Sequence, residues 1–164
     1  PDPEGRLYNP LLGGGALYDL GVYPIELLPW YINEEIQAIQ SDITLSGTGI
    51  DKTVNMNLRL DNCDVNIQCS ICTKLPEDGY IYGEQGYIHI PKIHMGTAAR
   101  LYDAQDRLVE EFDSEPVNGF IYEVEEVIRC ITQKQIESKI APHSMTLKSC
   151  AIYDECLGCL RDKS

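Results

Sequence analysis

The chain is short of positive charge. Its 13 Lys and Arg face 26 Asp and Glu, the formal net charge is −13, and no basic cluster of five or more residues occurs. Duplex DNA, RNA and anionic membrane surfaces would repel it overall, so none is expected as a partner. No apolar run reaches 18 residues, which excludes a transmembrane helix of ordinary length. An initiator Met and a signal peptide are also missing. The opening Pro1-Asp2-Pro3-Glu4-Gly5 reads as a fragment or a processed product. No G-x-G-x-x-G follows a strand and no G-x-S-x-G nucleophile elbow is present, so a complete dinucleotide fold and an α/β-hydrolase site are not expected in this chain alone. The seven cysteines are odd in number and scattered through apolar runs. They fit reduced thiols and a cytoplasmic location better than a secreted disulfide framework.

What is present suffices for a globular fold. At 164 residues, 43% of them hydrophobic, the chain can bury roughly 70% of its unfolded surface. It is read as one domain, residues 1–164. Residues 1–12 read as an extended, proline-rich arm whose one cation is Arg6. A helix is expected from about Gly15 to Ile32, kinked or broken near Pro24 or Pro29, with Trp30 packed inward.

From residue 36 the period becomes two. Val54, Met56, Leu58 and Leu60 alternate with polar residues, as do Val65, Ile67, Cys69 and Ile71, and Asp61-Asn62-Cys63 forms the turn between them. Ile36–Ser46 reads as a strand before them. Further hairpins are expected at Gly83-Glu84-Gln85-Gly86 and at Ala104-Gln105-Asp106-Arg107. The helical period then returns. Phe120, Val124, Val127, Ile128 and Ile131 form one stripe, and a last helix from about Ser144 carries Leu147, Cys150, Tyr153, Leu157 and Leu160. Strands segregated from helices predict an α+β fold: an open, predominantly antiparallel sheet of about six strands with helices packed on one face. The opposite face carries Asn55, Asn57, Asn66, Gln68 and Ser70. It is either ordinary exposed surface or a charge-poor oligomer interface.

The chemistry concentrates in Gly13-Gly14-Gly15-Ala16-Leu17-Tyr18-Asp19-Leu20-Gly21-Val22-Tyr23-Pro24. On a helix, Asp19 and Tyr23 are i and i+4 and share a face. They read either as a polar helix residue and a half-buried aromatic, or as a site. Asp19 lies in an apolar segment, where a buried carboxylate needs a partner. A phenol works as acid or base near neutrality only with a cation beside it, and no cation is close in sequence. The glycines allow a tight turn or close backbone approach. Cys69 and Cys72 would point to opposite faces of a strand, Cys156 and Cys159 make at most half a zinc site, and the three His are not paired, so no metal is expected.

This glycine-rich segment closely resembles the start of the C-terminal domain of the Gfo/Idh/MocA family. Ile81-Tyr82-Gly83-Glu84-Gln85-Gly86-Tyr87-Ile88-His89-Ile90-Pro91, Gly119-Phe120-Ile121-Tyr122-Glu123-Val124-Glu125-Glu126-Val127 and the helix from Ser144 resemble later segments, in the same order. The resemblance implies an NAD(P)-dependent oxidoreductase of two domains. An N-terminal Rossmann domain, absent from this chain, would hold NAD or NADP and supply a catalytic Lys from a Glu-Lys-Pro motif. The C-terminal domain would supply substrate contacts and an oligomer interface through the open sheet face. It implies Asp19 and Tyr23 as catalytic residues, with Arg6, Gly14 and Gly15 contacting substrate or cofactor. Tyr at the position where many members have His resembles the dihydrodiol dehydrogenase and glucose–fructose oxidoreductase branches. The implied substrate is a carbinol or carbonyl compound of sugar, polyol or dihydrodiol type, and the chain alone should be inactive. A non-catalytic dimerisation or regulatory module on the same fold is the alternative.

Overall fold

The computed structural model describes the backbone of residues 2–114 and 118–161, and side chains as far as residue 158. Among the described residues, seven strands and three α-helices follow the expected order. They are β1 Ala38–Leu45, β2 Asp51–Arg59, β3 Asp64–Ser70, β4 Gly79–Gly83, β5 Gly86–Ile90, β6 Ala98–Asp103 and β7 Leu108–Asp113. The helices are α1 Val22–Tyr31, α2 Phe120–Thr132 and α3 His143–Arg161. All pairings are antiparallel, and the fold is α+β as the periodicity implies. The strands form two sheets, β1-β2-β3 and β4-β5-β6-β7, where one sheet was expected. Residues 71–78 between them are in no strand and include Pro76, which has no N–H to give a ladder. Two compact units result, residues 1–75 with 144–164, and residues 76–143.

In the first unit the alternation of β2 and β3 decides the core. Val54, Met56 and Leu58 stand opposite Cys69, Ile67 and Val65. They pack with Leu17 and Ile25 from the segment around α1 and with Ile152, Tyr153 and Cys156 from α3. Burying each large apolar side chain contributes about 1.5–3 kcal/mol, so both helical segments are held to one face of this sheet. On the other face Asn66 donates from Nδ2 to Oδ1 of Asn55 and of Asn57, 2.8 Å each.

Three local expectations are corrected. The arm is not extended: Gly5, Tyr8 and Asn9 close successive turns, and Asn9 caps a 3-10 turn at Pro10–Leu12. Trp30 is 52% exposed rather than packed inward. The buried face of α3 is Ser149, Ile152, Tyr153 and Cys156, one i, i+3, i+4, i+7 stripe, whereas Leu147 and Cys150 are exposed. Ser149 tolerates burial because its hydroxyl donates to the Met145 carbonyl one turn earlier. The side chains of Cys159 and Leu160 lie outside the described residues.

The helix expected over 15–32 keeps both prolines. Its irregularity lies upstream of them, in a π-turn at Leu17–Gly21, and α1 then runs from Val22 to Tyr31. Pro24 has no N–H to offer the Leu20 carbonyl, so the regular ladder could not continue through this turn in any case.

In the second unit, the apolar stripe of α2 is formed but exposed, from 55% at Val124 to 71% at Ile131. The other side of α2 is tied by charge. Arg129 grips Glu126 through Nε at 2.7 Å and Nη2 at 2.6 Å, and the Ser138 hydroxyl donates to the same carboxylate. These bonds, Arg129 first and Ser138 second, hold the Glu126 carboxyl down at about 2. A depressed carboxyl stabilises the fold fully above its unfolded value and loses that contribution as pH falls through the folded one. Amide exchange in α2 of Glu126→Gln should therefore exceed wild type most at pH 5, the gap closing toward pH 2. A gap independent of pH would refute the pairing.

Candidate active site

The glycine turn is built by close approach to the chain's own backbone. Gly14 N–H donates to the Asn9 carbonyl and Gly15 N–H to the Leu7 carbonyl, 3.1 Å each, and Gly13 N–H reaches Pro10 at 3.3 Å. A Cβ on Gly14 would stand 2.6 Å from the Leu7 oxygen and 2.8 Å from that of Arg6, so only glycine lets the arm lie this close. Gly15 has φ +136°, a conformation that other residues rarely adopt. The arm is also tied from the other side, since the Thr48 hydroxyl donates to the Tyr8 carbonyl at 2.6 Å.

Docking the arm delivers a cation to the site. The Arg6 guanidinium pairs with the Asp19 carboxylate across 13 positions of sequence. Arg6 is the nearby positive charge that residue order alone does not place. Tyr23 follows Asp19 at the start of α1 and is 46% exposed. The structure thus brings Arg6 to Asp19, sets Tyr23 on the same helical segment, and uses Gly14 and Gly15 to hold the arm and the helix start in place.

Residue pattern gave no site role to Asp51, Tyr153 or Glu26. Asp51, 6% exposed, accepts from the Leu17 amide at 2.7 Å. Burial pushes its carboxyl above the usual carboxylate value, opposed by hydrogen bonds from backbone amides, Leu17 first. The Tyr153 ring packs against Tyr18, tilted by 60° with centroids 5.4 Å apart, and its hydroxyl donates to Glu26 at 3.2 Å, anchoring α1 to α3. Burial, then the Glu26 charge, raises the Tyr153 phenol well above its ordinary value, so it serves as a fixed donor.

The turn does not fit a phosphate group. The N–H groups of Gly13, Gly14 and Gly15 all donate to carbonyls of the chain itself, which leaves none of them to cradle an anion. The exposed chemistry is a carboxylate, its guanidinium partner and a phenol. That set can orient a hydroxylated molecule and move a proton.

Residues 1–89 match the sequence model of the GFO/IDH/MocA C-terminal domain. The chain belongs to the GFO/IDH/MocA family. It is 29% identical over 153 residues to a trans-1,2-dihydrobenzene-1,2-diol dehydrogenase of Danio rerio, covering 88% of this chain and 46% of that protein. It is 25% identical over 152 residues to a scyllo-inositol 2-dehydrogenase (NADP(+)) of Bacillus subtilis, covering 90% and 45%. The chain thus spans about half the length of these curated relatives. Among solved structures, the aldose-aldose oxidoreductase of Caulobacter crescentus superposes with a TM-score of 0.81 at 20% identity, over 100% of this chain and 51% of that one. At that identity the likeness speaks for the fold. The glycine turn, ion pair and phenol described above lie within the matched residues 1–89.

Proposed function

We propose that residues 1–164 are the C-terminal substrate and assembly domain of an NAD(P)-dependent oxidoreductase acting on a carbinol or carbonyl compound of dihydrodiol, sugar or polyol type. The observation that carries this reading is the Arg6–Asp19 pair, with Tyr23 following on the same helical segment, within the residues that match the family. The names of the dihydrodiol and inositol dehydrogenases to which the chain is similar support the substrate class.

Tyr23 takes the hydroxyl proton of the substrate on oxidation and returns it on reduction. Arg6 fixes the orientation of the Asp19 carboxylate, which receives a second substrate hydroxyl or the ammonium of a lysine from the partner domain. A nicotinamide cofactor, held by another domain, would supply the hydride chemistry at the carbinol carbon. Because the glycine turn has no amide left for a pyrophosphate, this reading assigns cofactor binding to an N-terminal domain of the full-length protein.

The reading also includes a cytoplasmic location and a homo-oligomer formed through an open sheet face. The net charge of −13 and the uncharged Asn55, Asn57 and Asn66 face of the first sheet support these points. Among the described residues, no helix is long and apolar enough to cross a membrane.

The test is an assay of the full-length protein with trans-dihydrodiol, aldose and inositol substrates and either NAD⁺ or NADP⁺. Reduced nicotinamide is expected with at least one pair. No turnover, together with a coding sequence lacking G-x-G-x-x-G and Glu-Lys-Pro, would assign the chain to a non-catalytic dimerisation or regulatory module.

A further inference from the structure

Asp51 is a buried carboxylate that the chemistry above leaves without a task. The alternation that turns Val54, Met56 and Leu58 into the core would turn residue 52 inward as well, and residue 52 is lysine. The register shifts instead. Thr44 pairs with Thr53 but Leu45 with Asp51, so Lys52 is the extra residue of a bulge in β2. Bulges re-aim side chains, and this one puts Asp51 inside in place of Lys52.

Two further irregularities meet the same carboxylate. Its Oδ2 receives the Leu17 amide at 2.7 Å, where the π-turn begins. Its Oδ1 fills the space where a Cβ on Gly15 would stand, 2.1 Å away. Carboxylates taken out of water cost several kcal/mol unless donors receive them, so an apolar residue would be the cheaper way to fill this space. A carboxylate here makes sense if the amides it holds must stay where they are.

We propose that Asp51 is a positioning residue of the site. It pins the opening amides of the Leu17–Gly21 π-turn and thereby sets where Asp19 and Tyr23 stand. This inference rests on the oxidoreductase reading above. Asp51 touches no reacting group in it and acts through the backbone of residues 15–17. The core strands do not depend on it, because Val54, Met56, Leu58, Ile67 and Cys69 are packed by other residues.

Asp51→Ala and Asp51→Asn in the full-length protein test the inference through amide exchange and steady-state kinetics. In Asp51→Ala the Leu17 amide should exchange about tenfold faster, the effect of a lost cap, while amides of β2 and β3 keep their protection. Turnover per folded molecule should fall about 10²-fold, as for a displaced reacting group, with KM within about threefold of wild type. Asp51→Asn retains one carbonyl oxygen for Leu17 and should lie between the two on both measures. It also carries the test if Asp51→Ala does not fold. Leu17 exchange at the wild-type rate in the variants would overturn the pinning. Faster exchange with unchanged turnover would overturn the positioning role and leave the oxidoreductase reading intact. An inactive wild type would instead remove that reading and with it the kinetic role, while exchange still decides whether the pin exists.

Discussion

Tyr23→Phe lowers turnover of the full-length protein by about 10²–10⁴-fold, the usual range for a lost general acid–base group. The substitution removes one oxygen and keeps the ring. Tyr23 sits at the first turn of α1 with nearly half its surface exposed, so the change opens no core cavity. KM should move little, because the substrate would still meet Asp19 and Arg6. Steady-state kinetics measures both quantities. Turnover at the wild-type level would remove Tyr23 from the mechanism and shift the proton transfer to another group.

Gly15→Ala destabilises the protein by roughly 2–6 kcal/mol, the sum of two effects. An alanine at φ +136° carries backbone strain of about 1–3 kcal/mol. Its Cβ would also stand 2.1 Å from Asp51 Oδ1. Displacing that carboxylate leaves the buried Leu17 amide without its partner, which costs about 1–3 kcal/mol. Urea denaturation of the variant gives the difference directly. A loss below about 1 kcal/mol would mean that the turn relaxes around the added methyl. Because the strain acts at the start of the π-turn, residual folded protein should also be a poor catalyst.

Much of this architecture was legible in residue order, because strict alternation and turn residues act locally. Val54, Met56 and Leu58 mark β2, and Gly83 to Gly86 mark the turn from β4 to β5. Less legible was anything decided by distant neighbours. The exposed stripe of α2 is as regular as a buried one, and periodicity does not distinguish them. The inward face of α3 passes through Ser149, a residue whose burial depends on a hydrogen bond to the preceding turn. The single sheet expected from strand count divides at residues 71–78, which belong to no strand.

The site shows the same boundary. Asp19 and Tyr23 were readable from spacing, and their roles came from the resemblance. The Arg6 pairing needs the arm to fold back, which depends on Gly14 and Gly15 meeting carbonyls of residues 6 and 7. Asp51 left a trace in sequence that alternation analysis passes over: Lys52 occupies the position where Leu58, Met56 and Val54 predict an apolar residue. A charge on the wrong face of an otherwise regular strand is a usable sign of a bulge and of a neighbour turned inward.

The π-turn at Leu17–Gly21 has one more consequence. A π-turn is an α-helix that has taken in one residue more than its ladder needs. Removing any single residue between 17 and 21 would let the helix close up as an ordinary one. A π-turn carries more residues per turn than an α-turn, so the flanking segments would keep nearly the same relation while the side chains inside the turn swung about its axis. The direction in which Asp19 points would change, although every functional side chain could still be present. The length of this segment is as much a specification of the site as the residues in it, and a one-residue gap there would mark a chain in which this constellation has been dismantled.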